Sequence, residues 1–419
     1  MARAGWGEMT MGESVVAVER PAPWWRSRPA IITVALVALA GAGLGVWSLT
    51  RPSDSGWHEL TLPQPAGVDG SGLSGVTVLP DGTAWAVGYA DLFPSHNSHT
   101  VVQRWDGHQW AAVSTPALGE QVDSFNGVAA SSDSDVWAVG LTSTDPAAHG
   151  APVSGYTDST LIEHWDGTRW TALDVAERPR LPSDDAILNA AAAVDRTNAW
   201  AVGRVANTAL IEHWDGTRWS VPPSPDLHSD KTGGLLFDVK GVSATDVWAV
   251  GKNSTAGRGG CLIEHYDGSA WSVVTCPVPA AERTAALLTV AGVSPKDLWA
   301  VGYYTTGVSD TSQTAHSLIE HFDGAKWSTV PSPSVALGTG LVAQTSDELR
   351  TVAARSSNDV YAVSSAGVVI HWDGTRWTRT STRLPGYVDG MVAQPGGDIW
   401  AVGSQTTPFP KSLANVEKP

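Results

Sequence analysis

The sequence predicts an all-β fold, a seven-bladed β-propeller of four-stranded antiparallel blades, closed by its own N-terminal strand and preceded by one transmembrane helix. Three observations carry the prediction. Two phrases recur in step along the chain; seventeen of its 21 tryptophans fall into slots of those phrases; and the slots add up to whole blades only if the first strand joins the last blade.

The first phrase is "LIEHWDGTRW", at Leu161–Trp170 and again word for word at Leu210–Trp219. Looser copies stand at Val101–Trp110, Leu262–Trp271, Leu318–Trp327 and Val368–Trp377. The second, of the type "DVWAVG", ends at Gly88, Gly140, Gly203, Gly251, Gly302, Ser364 and Gly403. Self-similarity with a period of roughly 40 to 60 residues marks a repeat architecture. Within one unit, "SFNGVAAS" is a short apolar run, "SDSD" a turn and "VWAVG" a second run. A long polar stretch precedes "TLIEHW", a tight "DGTR" turn and "WTALDV". These are four strands, A to D, and the Asp-Gly of the C–D turn is a strong hairpin signal because Gly accepts positive φ. Sheets this apolar on both faces need a neighbour on each side, which radial packing supplies.

The tryptophans fit that packing. Strand B carries Trp85, Trp137, Trp200, Trp248, Trp299, Tyr361 and Trp400; strand C carries Trp105, Trp165, Trp214, Tyr266, Phe322 and Trp372. Strand D carries Trp110, Trp170, Trp219, Trp271, Trp327 and Trp377. Seven B slots face only six C and six D slots. "GWHELTLP" (Gly56–Pro63) resembles a D strand and would complete the seventh blade, with "SLANVE" (Ser412–Glu417) as its thin strand C. Such a latch hides sheet edges that would otherwise stay open.

Ahead of the repeats, residues 1–29 have Pro, Gly and charges but no hydrophobic period, and are expected to be a disordered cytoplasmic tail. Residues 30–50 carry no charge, and their 18-residue core Ala30–Trp47 just spans a bilayer at 1.5 Å per residue. Arg20, Arg26 and Arg28 precede it, so a signal-anchor would leave the N-terminus in the cytoplasm and the propeller (57–419, after a linker at 51–56) outside. The alternative is a secreted protein, cut by signal peptidase near Ala40 or Ala42. Either route exports the repeats. A formal net charge of −16 argues against a nucleic-acid partner.

Cys261 and Cys276 flank a C–D hairpin and fall opposite each other if its turn is centred between Gly268 and Ser269, which favours a disulfide over two buried thiols. The consecutive Glu and His of each "LIEH" point to opposite faces of a strand, and copies in different blades diverge from the axis. They are therefore expected to bond neighbouring strands or blades rather than gather a metal. Each Asp of "WDG" reads as a turn former, Arg169, Arg218 and Arg376 as solvated, and "SDSD" as turn filler rather than a calcium site. Neither a cofactor nor a resident metal is expected.

The repeats resemble bacterial extracytoplasmic propeller repeats of the DVWAVG…LIEHWDGTxW type, over residues 57–403. They resemble kelch repeats and the galactose-oxidase central propeller more loosely, lacking the kelch double glycine. Asp-box repeats share only the Asp, Gly and Trp of "WDGTRW". None of these resemblances implies an activity.

Function on a propeller is expected where the repeats disagree. A–B and C–D turns are short and share one face; B–C and D–A connections vary and share the other. That second face holds the candidate ligand-binding residues Tyr89, Phe93, His96, His99, Tyr156, Arg180, His228, Tyr303, Tyr304, His316 and Tyr387. Long loops also tolerate insertion without any role. The expectation is a monomeric, membrane-anchored, non-catalytic binding or scaffold module for a protein or a cell-surface glycan. An exported carbohydrate-active or oxidising enzyme is the alternative, although a galactose-oxidase-like copper site needs a Cys free to crosslink a Tyr, and a sialidase-like site needs several Arg on the axis.

Overall fold

In a computed structural model, the described residues are 56–418 apart from 66–67, 69, 93–96, 117, 119–121, 145–156, 174–176, 226–232, 255–258, 280–283, 308–313, 337–346, 395 and 406–410. The expected tail, the membrane helix and all of the linker except Gly56 lie outside them. Among the described residues no helix is long and apolar enough to cross a membrane.

Seven four-stranded antiparallel sheets follow one another. In the first blade strand A is Gly70–Val78, B is Ala84–Leu92, C is Asn97–Trp105 and D is Trp110–Val113. The seventh blade takes A, B and C from Tyr387–Ala393, Ile399–Gln405 and Lys411–Glu417. Its strand D is Trp57–Leu60 from the other end of the chain, with Trp57 opposite Glu417. The latch forms as expected, and the thin strand C of that blade is a full seven residues.

The core lies between blades rather than inside them. Trp137, Val139 and Ile162 of the second blade pack on Leu188, Leu210 and Trp219 of the third, and each other junction among the described residues has a comparable cluster. Each strand-B aromatic meets the C and D aromatics of the next blade, except Tyr361, which meets the D aromatic Trp57 alone. Trp137 lies 5.0 Å from Trp214 and 5.1 Å from Trp219, and Trp299 lies 5.0 Å from Trp372 and 5.4 Å from Trp377. The ring closes through Trp400, 5.4 Å from Trp105, and through Tyr361, 6.1 Å from Trp57. Strand-D rings meet their partners edge to face at most junctions, geometry that adds about 0.5–1.5 kcal/mol per pair to simple burial.

Strand A bulges at the same height in every blade, skipping Ser74, Asn126, Asn189, Phe237, Leu288, Arg350 and Asp389 in the ladder. The glycine of "WAVG" sits beside the bulge for a steric reason: a Cβ on Gly140 would come 2.0 Å from the Ser124 carbonyl oxygen. A bulge re-aims side chains, and all seven skipped residues line the central channel.

The expected B–C loops need correction. Strands B and C run well past the repeated phrases, pairing Tyr89 with Thr100, Thr144 with Thr157 and Thr306 with Thr314. Tyr89, His99, Tyr303, Tyr304 and His316 therefore stand on strands. Continued pairing satisfies backbone groups that a loop would leave to water, and the β-branched and aromatic residues beyond the glycine suit it.

Candidate ligand site at the channel mouth

The channel is a cavity of about 680 Å³ walled by strand A of all seven blades. On one side its polar groups are spent on stapling blades together. The Asn126 and Asn189 amides donate to the carbonyls of Leu188 and Leu236 in the following blades, at 2.9 and 2.7 Å. Asp238 accepts the N–H of Val239 and of Val290 in the next blade, both at 2.8 Å, while burial pushes its carboxyl up to about 6. Burial also holds the Lys240 ammonium below its usual range, against the pull of Asp238.

The other side, from the fifth blade round to the first, is different. Arg350 reaches Glu348, just ahead of its own strand, and Asp389 on the seventh blade, each at 3.3 Å, and keeps 43 % of its side chain exposed. Burial raises the Asp389 carboxyl, opposed by Arg350. Tyr303 of the fifth blade feels Glu348 and Arg350; burial first, then Glu348, raises its phenol. Tyr89 of the first blade lies opposite Gly72, whose missing side chain gives its ring room to cross strand A: a Cβ there would sit 3.0 Å from the ring. Burial raises the Tyr89 phenol, and the charges of Asp91 and Asp389 add to it. Both phenols thus stay protonated at neutral pH and can donate. Glu348 and Asp389 flank the one guanidinium and Asp91 adds a third carboxyl group beside Tyr89, which makes this sector acidic.

The predicted site residues divide. Tyr89, Tyr303 and exposed Tyr387, two residues before Asp389, belong to this mouth. Tyr304 and His316 face the other way: their rings stack at 4.9 Å, and Tyr304 packs into the core toward the fourth blade. His99 stands exposed on strand C of the first blade, and Arg180 lines a separate cleft at the rim. Phe93, His96, Tyr156 and His228 lie outside the described residues. Sequence reasoning missed Glu348, Arg350 and Asp389. The signal was the variable residue in an otherwise regular strand-A frame, as in "GLSGV", "SFNGV", "ELRTV" and "YVDGM".

The repeated Glu and His are structural, but not equally. His164, His265, His321 and His371 each donate Nε2–H to the Asp that begins strand B (Asp135, Asp246, Asp297, Asp359) at 2.7–2.9 Å. Asp135, expected as turn filler, is thus a specific acceptor. Burial alone would raise its carboxyl, yet bonds from His164 and Ser131 hold it below the usual range. The glutamates depart from expectation. Glu163, Glu212, Glu264 and Glu320 are fully buried on the opposite face, and among these only Glu320 has a partner, the Thr329 hydroxyl at 2.7 Å. Burial pushes them up to about 8, 8, 7 and 8 in that order, which favours the neutral acid. Each "WDG" Asp closes its turn as expected; Asp166 accepts two backbone N–H groups and the Thr168 hydroxyl, which lower it to about 2. The Arg169 and Arg218 side chains are 79 % and 78 % exposed. The Cys261–Cys276 disulfide is formed, with Cα atoms 6.0 Å apart. Among the described residues no three His, Cys, Asp or Glu side chains gather as a metal site.

The fold is a seven-bladed β-propeller. YCF48 bound to a D1 peptide superposes with a TM-score of 0.52 at 14 % identity, covering 87 % of this chain and 97 % of that one. The RRP9 WD40 repeats give 0.55 at 10 %, over 87 % and 97 %. The GH74 xyloglucanase from Xanthomonas campestris gives 0.52 at 15 %, over 85 % of this chain but only 55 % of the enzyme. No protein-family model and no curated protein matches the chain. At these identities the likeness shows the fold alone.

Proposed function

We propose that this propeller is a non-catalytic binding module, exported and anchored through residues 30–50, that holds a basic peptide segment of a protein partner at the mouth of its channel. The observation that carries the reading is the cluster of Tyr89, Tyr303, Glu348, Arg350 and Asp389. It is a charged, partly exposed group on the variable face, in positions where the blades differ from one another. Three carboxylates, counting Asp91, outnumber one guanidinium, which favours a Lys- or Arg-bearing ligand. The phenols add flat apolar area with a donor at the tip, the side-chain type most used in recognition. A peptide as ligand class is supported by YCF48, a protein of the same fold seen with one. The disulfide supports export, since such bonds persist in oxidising compartments. Membership of the extracytoplasmic repeat group rests on the quoted phrases.

The test uses the full chain, immobilised, with a Lys/Arg-rich decapeptide and an acidic one of equal length. The basic peptide should bind. Combining Tyr303→Ala with Asp389→Asn should weaken it about tenfold or more, the scale of a lost charge-assisted bond and a lost aromatic contact, at unchanged melting temperature. Equal binding of both peptides, or no change in the variant, would place the ligand elsewhere.

A further inference from the structure

A second feature breaks the repeat, on the rim rather than the axis. Between the second and third blades lies a cleft of about 690 Å³, the size of sites for small organic ligands. One wall is strand D of the second blade (Trp170–Ala172) and the connection after it; the other is the C–D hairpin of the third. Aromatic walls recur from junction to junction, and here arginines stand both in the connection between the blades and on the facing turn. The connection reads "ERPR", and no other connection between blades carries two arginines. Arg218 projects from the facing turn into the same cleft, where the turns of the first and fourth blades carry Gln109 and Ala270. Arg178 fixes the geometry: its guanidinium donates to the Leu173 carbonyl at 2.9 and 3.2 Å and to the Thr160 carbonyl, holding the connection against the blade. Arg180, next along, stays exposed. In a chain of net charge −16, this lining carries three Arg against Glu177.

The remaining lining decides the class of anion. Thr171 and Ser220 bring hydroxyls, while half-buried Trp214 and exposed Val221 bring apolar surface. Hydroxyls beside an aromatic face suit a sugar ring, which has a hydroxylated edge and an apolar C–H face; forked guanidinium groups suit its carboxylate. We propose that this cleft is a binding site for an acidic oligosaccharide, with Arg180 and Arg218 holding a uronic-acid carboxylate. It is separate from the channel mouth and needs no peptide there.

Calorimetric titration of the full chain with tri-galacturonate, maltotriose and tri-glutamate tests this. Tri-galacturonate should bind and maltotriose should not. Arg180→Glu and Arg218→Glu should each weaken binding at least about tenfold, the worth of one charge-assisted bidentate contact. Arg169→Glu, in the same turn slot of the second blade but outside the cleft, should leave it unchanged. All three sites are exposed turn or connection residues, and matching melting curves show that the variants fold. The proposal is overturned by absence of tri-galacturonate binding, by tri-glutamate binding as tightly, by Arg169→Glu weakening it equally, or by Arg180→Glu having no effect.

Discussion

At the scale of single residues, the buried glutamates ask why four carboxyl groups occupy dry slots. The first blade answers, because the same slot there holds Gln103, whose Nε2–H donates to the Pro63 carbonyl in the preceding connection at 2.9 Å. In the fifth blade the Thr329 hydroxyl bridges Glu320 at 2.7 Å and the equivalent Pro277 carbonyl at 3.5 Å, so an acceptor again lies nearby. A neutral carboxylic acid can donate as the amide does, whereas a carboxylate would face that carbonyl with like partial charge. The pH consequence follows from the direction of the shift. Folded values of about 7 to 8 lie above the ordinary 4.5, so the folded state holds these protons more tightly. Their contribution is complete below about pH 4.5 and is lost as pH rises through 7 to 8. The melting temperature should therefore fall between pH 5 and 9. Replacing Glu163, Glu212, Glu264 and Glu320 by Gln should flatten that decline and raise the melting temperature at pH 8, as Gln103 shows the amide fits. A quadruple variant that keeps the wild-type decline would sink the explanation.

At the scale of elements, two clasps come from outside the repeated phrases, one at the closure of the ring and one within a blade. Glu417 stands where other blades carry the strand-C aromatic, and it bonds buried Arg355 on strand A of the sixth blade (Leu349–Ser356). Arg355 also reaches Asp359 at 2.8 Å, and the Tyr361 hydroxyl donates to Glu417 at 3.4 Å. The slot count made the N-terminal strand legible in the sequence. This ion pair was not, because nothing local marks Glu417 as standing in for an aromatic ring. Removing one partner of a buried pair costs about 3–5 kcal/mol, and Asp359 should hold Glu417→Ala near the lower end. Urea titration should show that loss, and Arg355→Met combined with Glu417→Leu should recover part of it. The other clasp is the disulfide, which ties strand C (Cys261–Tyr266) to the residues just beyond strand D (Trp271–Val274) in the fourth blade. Replacing both cysteines with Ser should cost about 2–4 kcal/mol in the same titration.

At the scale of the whole molecule, what could be read from the sequence was what repeats. Trp137, Trp214 and Trp219 come from phrases with fixed spacing, so their meeting at one junction followed from the period alone. Arg350 and Asp389 come from the innermost strands of the sixth and seventh blades, each at the one variable position of its frame, and only the packing of blade on blade brings them to 3.3 Å. The bulge that aims them at the axis is a backbone event with no residue of its own. The glutamates were misread for a related reason: periodicity gives the face a side chain points to, but not whether a partner waits there. The same regularity makes a claim about energetics. If each junction is a copy of its neighbours and touches only those, lesions far apart in the ring should add, because residues that share no partner seldom couple by more than about 0.5 kcal/mol. Trp137→Phe at the second junction and Trp299→Phe at the fifth each trade a buried indole for a smaller ring, at about 1–2 kcal/mol. The double variant should lose the sum in a single urea transition with an unchanged slope, since a ring has no free end from which to fray. A loss well above the sum, or a second transition, would mean that closure couples distant blades and that the ring is more than its seven equal joints.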